Sequence, residues 1–183
     1  MRIDYNAPLT LNFSLACLMV FVLNQVFPGT TSSFFTLYPE FNPKDVLSWW
    51  RPIGYAFGHG STAHLLGNLS FILLLGPMLE AKYGWKKLLL MILVTVILTA
   101  IPFLLFFHHA ILGASGIVFM FIVLSSFINA RAGSIPLTFI LVLLLFLGKE
   151  VFNSFQDDQI SQGAHLLGGV CGSVFGVYYL RKR

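Results

Sequence analysis

Residues 86–107 read KKLLLMILVTVILTAIPFLLFF, an apolar run long enough to cross a membrane. After Lys86 and Lys87 it carries no further charge. Hydrocarbon offers backbone N–H and C=O groups no partner, so a segment of this kind must satisfy them internally, as a helix does. About 20 apolar residues, at roughly 1.5 Å of rise each, cross a bilayer core. Five further runs of similar character occupy roughly 9–27, 62–80, 113–130, 135–150 and 163–180. The fifth in chain order, 135–150, is short for a span, and Pro102 and Gly113 place a break between the third and the fourth.

Composition agrees. Hydrophobic residues make up 57% of the 183 and charged residues 10%, and the mean hydropathy is +0.83. A soluble surface wants about a quarter of the chain charged. The expectation is an all-α polytopic membrane protein, a six-transmembrane-helix bundle forming a single membrane domain over 1–183. Arg2 precedes the first run, but later runs follow it, so that run reads as a retained span. Cys17 and Cys171 both fall in apolar runs and read as small hydrophobes.

The cations orient the bundle. With a cytoplasmic N-terminus, Arg2, Lys82, Lys86, Lys87, Arg131, Arg181, Lys182 and Arg183 lie inside. Lys44, Arg51 and Lys149 lie outside. Cytoplasmic loops carry the excess of Lys and Arg, and an even number of spans puts both termini in the cytoplasm. The connection 28–61, PGTTSSFFTLYPEFNPKDVLSWWRPIGYAFGHGS, is long and holds four prolines. Such a loop usually has structure or function of its own. Trp49 and Trp50 suit a membrane interface, and FNPKDVLSWW predicts a short helix starting near Asn42-Pro43. The segment is expected on the outer face.

Three runs enter from that face, and each carries polar side chains near its start. The second begins HGSTAHLLGN, with His64 and Asn68 four apart on one helix face. The fourth carries Ser115 within GASGIVF (113–119), and the sixth begins QGAHLLGG with His165. A serine between glycines is by itself a packing feature. Polar groups gathered at one depth in a membrane point to function. The set suits acyl transfer, with His165 as base to the Ser115 hydroxyl. Asn68, His64 and the backbone N–H of Ser115 are donors for an oxyanion. Gly168, Gly172 and Gly176 repeat every four residues and would let the sixth helix approach another closely.

Other chemistries fit less well. GxSxG would need glycine where Ile117 stands. Asp157 and Asp158 precede the sixth run and could complete a triad with His165, but a dyad is simpler. Lys149 stands apart from Ser115 and reads as snorkelling to the interface. His59, His64, His108, His109 and His165 include no HExxH and no membrane carboxylate, which argues against a metal. His108 and His109 read as interface residues in a short turn. A channel would need polar residues through both halves, and the inner half is apolar apart from Glu80.

HLLGN (64–68), GASG (113–116) and AHLLG (164–168), in that order, resemble the rhomboid family of intramembrane serine proteases. The likeness runs from about Trp50 to the C-terminus. It implies Ser115 as nucleophile, His165 as general base, and His64 and Asn68 in the oxyanion hole, with no cofactor and no metal. Trp50-Arg51 matches a motif of the first outer loop, and His59 a histidine five before the oxyanion histidine. GPMLEAKYG (76–84) resembles the family's GxxxExxxG, with Glu80 as a structural anchor. Phe119 stands where some members carry a tyrosine against the catalytic imidazole. The short ends resemble the compact bacterial form, which implies a multi-pass protein of the inner membrane with its active site opening outward. Implied partners are the lipid bilayer and single-span or polytopic membrane-protein substrates, with no nucleic acid. The likeness also implies substrate access past the fifth run and the cap VFNSFQDDQISQ (151–162), including Phe152 and Phe155. The alternative is an inactive relative that binds transmembrane clients without cutting them.

Overall fold

The computed structural model describes residues 3–106, 109–128, 130–131, 134–153 and 159–182. Eight α-helices run through them: α1 (Pro8–Val26), α2 (Thr30–Phe34), α3 (Val46–Gly54), α4 (Thr62–Tyr83), α5 (Trp85–Phe106), α6 (Ser115–Ser125), α7 (Leu137–Asn153) and α8 (Gln159–Arg181). A 3-10 turn, Tyr55–Phe57, follows α3. The protein is an all-α polytopic membrane bundle. Among the described residues, α1, α4, α5 and α8 are long and apolar enough to cross a bilayer.

The helix over 113–130 is shorter than its apolar run. α6 has 11 residues, about 16 Å, roughly half a bilayer core. Gly116, Ile117, Val118, Met120, Phe121, Val123 and Leu124 are all buried, so α6 is enclosed by protein rather than lipid. Its approach, 109–114, is non-helical, and such backbone is tolerated at membrane depth only where protein supplies its partners. Here Leu37 and Ile111 exchange two 2.9 Å backbone bonds, and Gly113 N–H donates to the Tyr55 carbonyl at 2.9 Å.

The segment between α1 and α4 is folded into the bundle. Tyr55 Oη donates to the carbonyl of Val96, at the middle of α5, over 3.1 Å. Phe57 stacks on Phe13 of α1 at 4.9 Å. The expected helix within 41–50 forms, but it starts at Val46 rather than near Asn42-Pro43. The Asp45 carboxylate accepts from Leu47 N–H and caps it, while the Asn42 carbonyl accepts from Asp45 N–H and closes a preceding turn. Arg51 holds the segment down through the Ser33 carbonyl, at 2.9 and 3.2 Å, and lies 3.5 Å from Asp45.

Two seams set the helix positions. Along α8, a Cβ on Gly168 would overlap the Gly116 carbonyl, one on Gly172 would lie 2.6 Å from the Met120 carbonyl, and one on Gly176 would enter the Phe127 ring. Backbone-to-backbone approach of α8 and α6 follows. At the α1–α4 seam, Ala7 offers no capping side chain. Glu80 of α4 caps α1 instead. Its carboxylate accepts from Leu9 N–H at 3.0 Å, Thr10 N–H at 3.0 Å and Thr10 Oγ1 at 2.8 Å. Glu80 is buried, and these bonds offset the cost of burying its charge at a helix N-terminus. At the same end of the bundle, Lys82 Nζ meets the Ile128 carbonyl and Lys87 lies over the Tyr179 ring. Cys17 and Cys171 are both free and buried.

Candidate active site

A cavity of about 780 Å³ lies between α4, α6, α7 and α8. Ser115, His165, His64 and Asn68 all line it, with Gly113, Ala164 and Phe119 beside them. The rest of its wall is largely apolar, including Phe71, Ile122, Val142 and Leu145.

Each polar group reaches the cavity for a local reason. Ser115 is the first residue of α6, and the Ala114 side chain makes no cap bond. The leading N–H groups of a helix lack intrahelical acceptors, so the backbone at Ser115 presents donors beside its own hydroxyl. Gly113 has φ +115°, a conformation that favours glycine. A Cβ there would lie 2.6 Å from His64 Cε1, so the glycine also makes room for the imidazole. His64 is in the first turn of α4, which Ser61 caps by accepting from His64 N–H. Asn68 follows one turn later, buried.

His165 sits in the second turn of α8, three residues before Gly168. The contact of Gly168 with the Gly116 carbonyl carries this turn toward the start of α6, and a Cβ on Gly116 would lie 3.4 Å from the Ala164 carbonyl. Phe119, one turn beyond Ser115, stacks on the His165 ring at 4.1 Å with a 36° tilt. That contact restricts the imidazole.

Behind Asn68 lies His59, which sequence reading marked only through a motif match. It is 1% exposed. Its Nδ1 lies 3.2 Å from the Phe57 carbonyl, and its Nε2 lies 3.0 Å from Asn68 Nδ2. The ring meets His64 edge-on at 5.0 Å. Burial, then the neighbouring His64, lowers the His59 pKa to about 4. Among the described residues no group of three or more His, Cys, Asp or Glu is placed to hold a metal. His109 packs edge-on to Phe103 at 5.6 Å. His108, Phe155, Asp157 and Asp158, and the side chains of Lys149 and Phe152, lie outside the described residues, and with them the Asp triad set aside above and the expected loop cap.

A family profile described as the Rhomboid domain matches residues 47–182. The chain is 24% identical over 171 residues to the rhomboid protease GlpG of Haemophilus influenzae, covering 92% of this chain and 88% of that protein. It is 27% identical over 180 residues to the rhomboid protease GlpG of Serratia proteamaculans, covering 96% of this chain. It is 26% identical over 179 residues to that of Yersinia pestis, again covering 96% of this chain. The chain spans 64% of the length of each of these last two proteins.

Proposed function

The chain belongs to the rhomboid family, and on that premise we propose that it is an intramembrane serine endopeptidase acting through a Ser115–His165 dyad. The observation that carries the reading is the convergence of Ser115, His165, His64 and Asn68, from three helices, on one cavity inside an apolar bundle.

In the proposed reaction His165 takes the proton from Ser115 Oγ as that oxygen bonds to a substrate carbonyl carbon. The carbonyl oxygen becomes an oxyanion, stabilised by the Ser115 backbone N–H, an Asn68 amide hydrogen and the His64 ring N–H. Collapse breaks the C–N bond, and the His165 proton goes to the departing amine. Water then attacks the acyl-serine with His165 as base and regenerates the hydroxyl. Pre-aimed donors act strongly here because the cavity wall is largely apolar.

The substrate class follows from the surroundings. A cavity within the bundle admits membrane-embedded polypeptide, and an intact helix hides its carbonyls in its own hydrogen bonds. Spans weakened by Gly, Pro or polar residues should therefore be cut in preference. We place the active site toward the outer face, both termini in the cytoplasm, and the chain in the inner membrane as the compact six-span form. The crossings are then α1, α4, α5, α6, α7 and α8 within one domain over 1–183, and 28–61 is the outer-face segment. The clustering of Lys82, Lys86 and Lys87 where α4 meets α5 supports that orientation.

The test is cleavage of single-span substrates in proteoliposomes. The wild-type chain is expected to cut, and Ser115→Ala and His165→Ala to lose at least about 10³-fold in rate while remaining inserted and folded. Cleavage that persists in Ser115→Ala rejects the nucleophile. Capture of substrates without cleavage, together with no fluorophosphonate labelling of Ser115, establishes the non-cutting relative instead.

A further inference from the structure

We propose that His59 is a positioning residue: its one bare ring nitrogen fixes which way the Asn68 amide faces, and so aims an N–H into the cavity. This rests on the serine-protease reading above, which gives that N–H its task.

The assignment follows from what each partner can do. The Phe57 carbonyl only accepts, so His59 Nδ1, 3.2 Å away, must carry the hydrogen. A neutral imidazole has a single N–H, which leaves Nε2 bare. The group 3.0 Å from Nε2 must then donate, and of the two ends of a carboxamide only the nitrogen does. Asn68 Nδ2 has two hydrogens. One is committed to His59, and the other remains for the cavity that Asn68 lines. Nδ2 also lies 3.7 Å from where a Cβ on Gly113 would stand, beside the turn that leads to Ser115.

The opposite amide orientation would set a carbonyl oxygen where an oxyanion forms and would repel it. A doubly protonated His59 would favour that orientation, because both ring nitrogens would then donate. The site opposes protonation. His59 is buried, the His64 ring lies edge-on at 5.0 Å, and its pKa is lowered to about 4. The Phe57 carbonyl sits two residues back in the same chain, so the tautomer is set by local backbone and does not depend on bound substrate.

The experiment is a double-mutant cycle on the full chain in proteoliposomes: wild type, His59→Phe, Asn68→Ala and the pair, with His59→Gln as rescue. His59→Phe keeps a flat ring but accepts nothing. It is expected to lower kcat about tenfold with KM unchanged, a fraction of what removing an oxyanion donor outright costs. In the Asn68→Ala background the same change should cost less than about twofold, because the group it acts through is gone. His59→Gln, whose carbonyl can accept, should restore kcat to within about threefold of wild type. Losses that multiply in the pair, or a His59→Gln no better than His59→Phe, overturn the proposal. Nitrogen-15 NMR of the imidazoles, with His59 assigned by its absence from His59→Gln, reads the wild-type chain directly. The Nδ1–H tautomer is expected, and the Nε2–H tautomer overturns the proposal whatever the variants do. A wild-type chain that shows the Nδ1–H tautomer but no Ser115-dependent cleavage overturns the protease reading, and with it the task assigned to Asn68, while the His59–Asn68 bond stands.

Discussion

Helix α4 buries a polar side chain near each end, and the two are built differently. Glu80 accepts three hydrogen bonds from Leu9 and Thr10 at the start of α1, and a neighbouring glycine, Gly76, brings Thr10 close. Asn68, three turns away, meets a histidine on one side and a cavity on the other. Both are buried to a similar degree, 7% and 6% exposed. Burial therefore does not separate them. What separates them is spare capacity: the carboxylate is spent on a helix N-terminus, whereas the amide keeps a donor facing open volume. A buried polar group with unspent hydrogen-bonding capacity beside a cavity is the one with chemistry left to do.

Substitutions separate the two ends of α4, the most severe first. The division holds only while α6 and α8 stay in backbone contact. Gly168→Val drives three carbons into the Gly116 carbonyl. It should cost more than about 3 kcal/mol and abolish cleavage together with the cooperative unfolding transition, read in a denaturant titration. Glu80→Ala should cost about 3 kcal/mol, because two backbone N–H groups and a hydroxyl lose their acceptor in a buried site. Its cleavage rate per folded molecule should stay near that of wild type. Asn68→Ala should show the opposite balance, with kcat down about 100-fold and a smaller stability loss of about 1 kcal/mol, because it leaves a single buried acceptor, His59 Nε2, without its donor. If Glu80→Ala instead lost activity in proportion to Asn68→Ala while remaining folded, the division between the two ends of α4 would fail.

The spans were legible because apolar length is written directly in the chain. α1, α4 and α5 fall within a few residues of the runs 9–27, 62–80 and 86–107. The end of α6 was not legible. Apolarity marks burial but not the element that is buried, and 126–128 turns away from the helix through i-to-i+3 bonds rather than continuing it. In the candidate site, His64 and Asn68 were paired by helical spacing, which is local. The approach of His165 to the start of α6 had only an indirect sign, the glycine stripe whose partner backbone is supplied by tertiary packing. His59 had no periodicity to reveal it. It lies before α4, and its role depends on a carbonyl two residues back and an amide nine residues on.

The least severe test leaves the covalent structure intact and changes pH. His59 sits outside the spanning helices, and its pKa is lowered from the ordinary 6.5 to about 4. Between those values the unfolded chain binds a proton that the folded chain refuses, so folding stability falls as pH drops through this window. Above about 6.5 the contribution is complete, and below about 4 both states are protonated and the loss levels off. The expected loss from pH 7 to pH 5 is on the order of 1–2 kcal/mol, read as a shift in denaturation midpoint. His59→Gln does not titrate and should flatten that part of the profile, whereas Asn68→Ala should retain most of it, because burial is the leading cause of the shift. A wild-type profile that is flat between pH 7 and 5 would mean that the folded chain accepts the proton. The His59 ring would then be free to turn the Asn68 amide around, and the polar end of α4 would be no better fixed than a surface side chain.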